Sequence, residues 1–77
     1  MIIRLYGRLA DAIGHEIDLG AGGCSVAEIR SRLASQHPAA TESLGRSRAL
    51  IAGSVVTNEH LVGESDDLEF LPPVSGG

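Results

Sequence analysis

One helix with its own start and stop signals constrains this chain more than any other feature. Ser25-Val26-Ala27-Glu28 has the spacing of a capping box, with Ser25 at the N-cap and Glu28 at the third helical position. Cys24 just before it is placed to staple against Ile29. Val26, Ile29 and Leu33 recur at helical spacing and form an apolar stripe, while Arg30 and Arg32 read as solvated. His37 precedes Pro38 and is pushed out of helical geometry, so the helix ends near Gln36. A helix this short cannot bury its own stripe. A sheet must cover it, which leads to a two-layer α+β sandwich.

The flanking segments supply that sheet. Ile2–Leu5 alternates, with Ile3 and Leu5 on one face and Arg4 and Tyr6 on the other. Gly7 breaks the pattern, and Leu9–Ile13 suits one helical turn before Gly14. Glu16–Leu19 alternates again and reads as an antiparallel return. Gly20-Ala21-Gly22-Gly23 marks a turn. A phosphate-loop reading of these glycines has little behind it, since no GxGxxG is present and no lysine follows. Residues 38–47 read as a surface connection. Ala49–Ala52 is the third strand, Gly53-Ser54 a Gly-first hairpin turn, and Val55–Thr57 a short continuation. Asn58-Glu59-His60 is a turn, Leu61 and Val62 plug the core, and 63–67 is an acidic turn. Leu68–Leu71 is the last strand, with Leu68 and Phe70 inward. The expected core is Ile3, Leu5, Ile17, Val26, Ile29, Leu33, Leu50 and Phe70. The order ββαβ(β)β resembles the β-grasp arrangement of ubiquitin: a mixed sheet with one main helix packed on one face, and first and last strands parallel at its centre. Residues 1–71 form that domain, and 72–77 form an extended tail.

Composition excludes several classes of function. With 77 residues there is room for one core. A net charge of −4 and only Tyr6 and Phe70 as aromatics argue against nucleic acid. No apolar run approaches a membrane span or a signal peptide. One cysteine permits no internal disulfide and fits a reducing, cytoplasmic setting. One cysteine and three scattered histidines make no zinc spacing, so no metal is expected. His15, His37 and His60 fall in turns and read as surface residues. A reactive-thiol reading of Cys24 at the helix start has less behind it than the staple role, since no histidine lies nearby in sequence to act as base.

The end of the chain, Leu71-Pro72-Pro73-Val74-Ser75-Gly76-Gly77, is the candidate functional element. Two prolines stop ladder pairing and stiffen the exit. The residues then taper to bare backbone, which allows close approach inside a narrow channel. Pro72, Pro73, Val74, Ser75 and Gly76 are the threading residues, and Gly77 presents the reactive carboxylate. Strand parity puts Tyr6 and Leu71 together at the tail root on the outer sheet face. They read as a partner interface that Val56 would extend.

Over nearly its whole length the chain resembles the small subunit of molybdopterin synthase, a ubiquitin-like sulfur carrier. The PPVSGG end carries the resemblance most specifically. Met1-Ile2 opening into strand 1, Leu9, Ile13-Gly14, the Ser25–Glu28 helix start and the acidic turn support it. Departures are Glu64–Asp67, where a Gly-Asp pair is frequent, Ala52-Gly53, where Asn is frequent, and Gly7, often a larger residue. The resemblance implies that an E1-like adenylyltransferase activates Gly77 with ATP and that a sulfur donor protein converts it to a thiocarboxylate. The large subunit then accepts the tail, and the sulfur passes to cyclic pyranopterin monophosphate. It implies no cofactor bound by the chain and no catalytic site of its own. Related carriers for thiamine or tRNA thiolation, and β-grasp protein-tagging or binding modules, share the Gly-Gly end or the fold.

Overall fold

The structure is a computed structural model that describes residues 1–20 and 22–72. Five strands form one sheet in the order β2-β1-β5-β3-β4. β1 is Ile2–Leu5, β2 Glu16–Asp18, β3 Arg48–Ile51, β4 Ser54–Val56 and β5 Asp67–Leu71. β1 and β5 are parallel, with Leu5 opposite Phe70, and all other pairs are antiparallel. The chain's first and last strands thus lie side by side within the sheet, as expected from the ββαβ(β)β order. α1 spans Arg8–Ile13, α2 Val26–Gln36 and α3 Thr41–Arg46, with a 3-10 turn at Pro38–Ala40.

The capping box on α2 is complete. The Ser25 N–H donates to Glu28 Oε1 at 3.1 Å, and the Glu28 N–H donates to Ser25 Oγ at 3.2 Å. The other first-turn donors are also used. Val26 N–H reaches the His60 carbonyl and Ala27 N–H the Asn58 carbonyl, both at 3.0 Å. This helix start therefore spends its first-turn donors on its own chain.

One continuous core joins the sheet to α2. Ile3, Leu5, Val26, Ile29, Leu33, Val62, Leu68 and Phe70 are fully buried, and Leu9, Ala40, Leu44 and Ala49 complete it. Ile17 is half-buried because β2 is an edge strand. The expected surface connection at 38–47 is instead the 3-10 turn and α3, burying Ala40, Leu44 and Ser47. Alanine and one leucine are enough to pin so short a segment, and they make a weak pattern.

Several side chains depart from expectation. Ala49 faces the helix and Leu50 faces away, so β3 parity is reversed. Residue size misled here: the small residue is the buried one. Leu61 is 65% exposed, and Val62 alone plugs the core. Leu61 forms a bridge with Ser25 that turns its side chain outward. Arg30 is half-buried rather than solvated. Its Nε donates to Asn58 Oδ1 at 3.0 Å, and its other nitrogens to Ser47 Oγ, the Ser47 carbonyl and the Leu44 carbonyl. The guanidinium lies 5.0 Å from the Phe70 ring centroid, and burial lowers its pKa. Finally, the β3–β4 turn is Ala52-Gly53, with φ of 52° and 81° and Ile51 opposite Ser54. Two positive φ values are the signature of a type I′ turn, whose twist matches the strands.

Candidate functional site

The parallel β1–β5 ladder brings the end of the central strand β5 beside Gly7. Gly7 has φ 62° and ψ −134°, a conformation that L side chains rarely adopt. A Cβ there would lie 3.3 Å from Pro72 Cγ. The bare Gly7 backbone thus forms a shelf for the Pro72 ring. Pro72 itself is exposed. Pro73, Val74, Ser75, Gly76 and Gly77 lie outside the described residues.

The sheet face opposite α2 surrounds this root. Leu5 and Phe70 are paired and buried, so the next residues, Tyr6 and Leu71, are adjacent on the outer side. Tyr6 is 37% exposed, and its hydroxyl donates to Glu69 Oε2 at 2.6 Å. That hydrogen bond, followed by partial desolvation, raises the Tyr6 pKa above its usual value. Leu71 is half-buried and paired with Arg48. One row further in, Glu69 is paired with Leu50, and Leu50 with Val55. Val55 is 65% exposed. Arg4 is held by Glu16 at 3.5 Å and Asp67 at 3.3 Å. Its pKa is raised, first by the hydrogen bond to Asp67 and then by that carboxylate's charge.

The outer face is therefore an apolar band of Tyr6, Leu71, Leu50 and Val55 beside an acidic and arginine-laced flank. Val56, expected to extend the band, faces the helix and packs against the core. Its pairing with Ala49 decides this. Leu50 and Val55 were hidden by the parity reversal, although a correct placement of the Ala52-Gly53 turn would have revealed both. Among the described residues, no group of three or more His, Cys, Asp or Glu could hold a metal ion. None of the described helices is long and apolar enough to cross a membrane.

Solved structures share this architecture. A small archaeal modifier protein 1 from Methanosarcina acetivorans matches at 27% identity and TM-score 0.80, covering 99% of this chain and 94% of that one. The modifier protein of the same name from Haloferax volcanii matches at 24% identity and TM-score 0.73, covering 99% and 97%. A complex of subunits 1 and 2 of the molybdopterin-converting factor from Helicobacter pylori 26695 contains a chain 21% identical, at TM-score 0.69, with 99% and 96% covered. No curated protein matches the chain. The fold is the ubiquitin-like β-grasp. A family model described as the ThiS family matches residues 3–77, and the chain belongs to that family of ubiquitin-like sulfur carriers.

Proposed function

We propose that the chain is the sulfur-carrying small subunit of a cytoplasmic molybdopterin synthase. The observation that carries this reading is the central strand β5, which runs past Tyr6 and seats Pro72 on Gly7 before the sequence Pro-Val-Ser-Gly-Gly. A tail launched from the sheet centre beside an apolar band suits docking and insertion at once. The molybdopterin-converting factor complex from Helicobacter pylori supports a large-subunit partner for a chain of this shape.

The chemistry needs little from the fold. An E1-like adenylyltransferase directs the Gly77 carboxylate oxygen to the α-phosphorus of ATP, and pyrophosphate leaves. A sulfur donor protein then delivers sulfur at the sulfide level to the carbonyl carbon, and the new carbon–sulfur bond replaces the bond to the leaving AMP oxygen. The thiocarboxylate sulfur then attacks cyclic pyranopterin monophosphate, and water cleaves its bond to the Gly77 carbonyl carbon, leaving the sulfur on the pterin and a carboxylate on the carrier. The carrier's residues contribute position: the outer face docks, Pro72 is seated on Gly7, and Gly76 and Gly77 pass where side chains would not.

The test is reconstitution with such an adenylyltransferase, ATP and a sulfur donor, read by intact mass. Exchange of one oxygen for sulfur at Gly77, followed by dithiolene formation with the large subunit, is the expected result. Deletion of Gly77 abolishes both and leaves the melting curve unchanged. A truncated protein that still transfers sulfur overturns the proposal. The archaeal modifier structures favour one second reading, attachment of Gly77 to amines of other proteins. Isopeptide-linked Gly77 in cell digests is its signature.

A further inference from the structure

All six basic residues are arginine; the 77 residues contain no lysine. The distinction is chemical. A lysine amine loses its proton and is readily acylated, whereas a guanidinium stays protonated and is not. Only some of the six positions call for an arginine's shape. Arg30 uses its planar fork to reach Asn58 and Ser47 while lying over Phe70. Arg4 reaches Glu16 and Asp67 through two different nitrogens. Arg8, Arg32, Arg46 and Arg48 are exposed. Arg46 meets Glu42 in a surface i,i+4 pair that a lysine would make equally well. At Arg46 the pair uses charge that a lysine would supply, and the exposed Arg8, Arg32 and Arg48 leave room for a lysine side chain.

The α-amino group of Met1 is an aliphatic amine too. It donates to Asp18 Oδ1 at 3.4 Å. β1 and β5 are parallel, with Ile2 level with Asp67 and Leu5 with Phe70. Met1 and the tail root therefore sit at opposite ends of the sheet.

We propose that the chain is a single-copy acyl donor. Its activated tail passes to sulfur or to an amine of another protein, and copies are not joined to one another through side chains. The inference rests on the carrier reading in one respect, that Gly77 becomes activated. In amide formation the attacking nitrogen bonds to the Gly77 carbonyl carbon. The bond from that carbon to the leaving AMP oxygen, or to a thiol sulfur, breaks, and the amine proton passes to solvent base. A fold without side-chain amines leaves that electrophile to its proper acceptor. A polymer of such carriers would consume one activated tail at every link.

The test uses the full chain carrying a chemically made Gly77 thioester, so no activating enzyme is involved. Failure of the carrier reading would appear in the enzymatic reconstitution above and leave this result untouched. Wild type alone, wild type with Nα-acetyl-lysine, and the exposed variants Arg32→Lys and Arg8→Lys alone are incubated at mildly alkaline pH. Excess thiol then reverses any thioester to Cys24, and intact mass is read. Wild type is expected to remain monomeric alone and to take one Nα-acetyl-lysine. The lysine variants are expected to form amide-linked dimers and longer products, roughly tenfold or more above wild type, as an accessible amine dictates. A smaller difference, or wild-type dimers linked at Met1 at the variants' rate, overturns the proposal.

Discussion

Pro72 lies against the bare Cα of Gly7, where a Cβ would stand 3.3 Å from the proline Cγ. This contact ties the end of β1 to the start of the tail. It also sits on a backbone of positive φ, so two penalties meet at one residue. Gly7→Val is expected to cost about 1–3 kcal/mol from its positive-φ backbone alone, and to displace Pro72 as well. Denaturant unfolding measures the first effect. The second appears as a loss of sulfur transfer, measured at a temperature where the variant is still folded. A variant of wild-type stability and activity would show that Gly7 is a bystander.

The type I′ turn carries an alanine where φ is 52°. Glycine removes the Cβ penalty that alanine meets there. Ala52→Gly is therefore expected to stabilise the fold by up to about 1 kcal/mol, partly offset by the greater freedom of glycine in the unfolded chain. Thermal melting checks it, and a clear loss of stability would contradict the turn assignment.

Glu28 gives the helix start a pH dependence. Hydrogen bonds from the Ser25 N–H and then the Ser25 hydroxyl lower its pKa. A carboxylate with a depressed folded pKa adds stability that is present above its unfolded value of about 4.3 and is lost as pH falls through the folded one. Glu28→Gln should thus differ most from wild type near neutral pH and approach it in acid. Urea midpoints at neutral pH and near pH 3 measure the difference. Ser25→Ala removes the cap itself and is expected to cost about 1 kcal/mol.

Phe70 anchors both layers: it is fully buried, pairs with Leu5 and Ala49, and carries Arg30 over its ring. Phe70→Ala is expected to cost about 3–5 kcal/mol, a large share of what so small a domain has. Calorimetry or denaturant titration decides it, and a loss below 1 kcal/mol would mean that the core collapses around the gap.

What was legible in the sequence was what has a local cause. Ser25 and Glu28 announce a capping box because both halves lie within four residues, and His37-Pro38 stops the helix by direct steric clash. Ile3, Leu5, Leu68 and Phe70 alternate cleanly, so the two central strands were correctly faced. β3 was not, because Ala49 and Leu50 are both apolar and nothing local says which is inside. The answer lies across the sheet, where Ala49 meets Phe70 and Val56. Arg30 was misread for the same reason: its acceptors Leu44, Ser47 and Asn58 lie 14 to 28 residues away. At the tail root, Tyr6 and Leu71 followed from parity alone, whereas the Gly7–Pro72 contact depends on a backbone angle that composition does not encode.

The outer face provides the last prediction, because parity there separates docking from folding. Val55 and Val56 are chemically identical neighbours on opposite sides of the sheet. If the tail enters a partner while the apolar band docks, Val55→Asp should weaken binding and spare the fold, while Val56→Asp should destabilise the fold. Tyr6→Ala and Leu71→Ala are each expected to weaken binding to the large subunit by roughly 1–2 kcal/mol, the scale of interface anchors. Tyr6→Phe keeps the ring and loses only the bond to Glu69, so it isolates the contribution of that bond. Isothermal titration against a purified large subunit, with melting curves for every variant, gives the readout. Unchanged affinity in Tyr6→Ala, Leu71→Ala and Val55→Asp, with all three folded, would move the docking site off this face and leave the tail to bind alone.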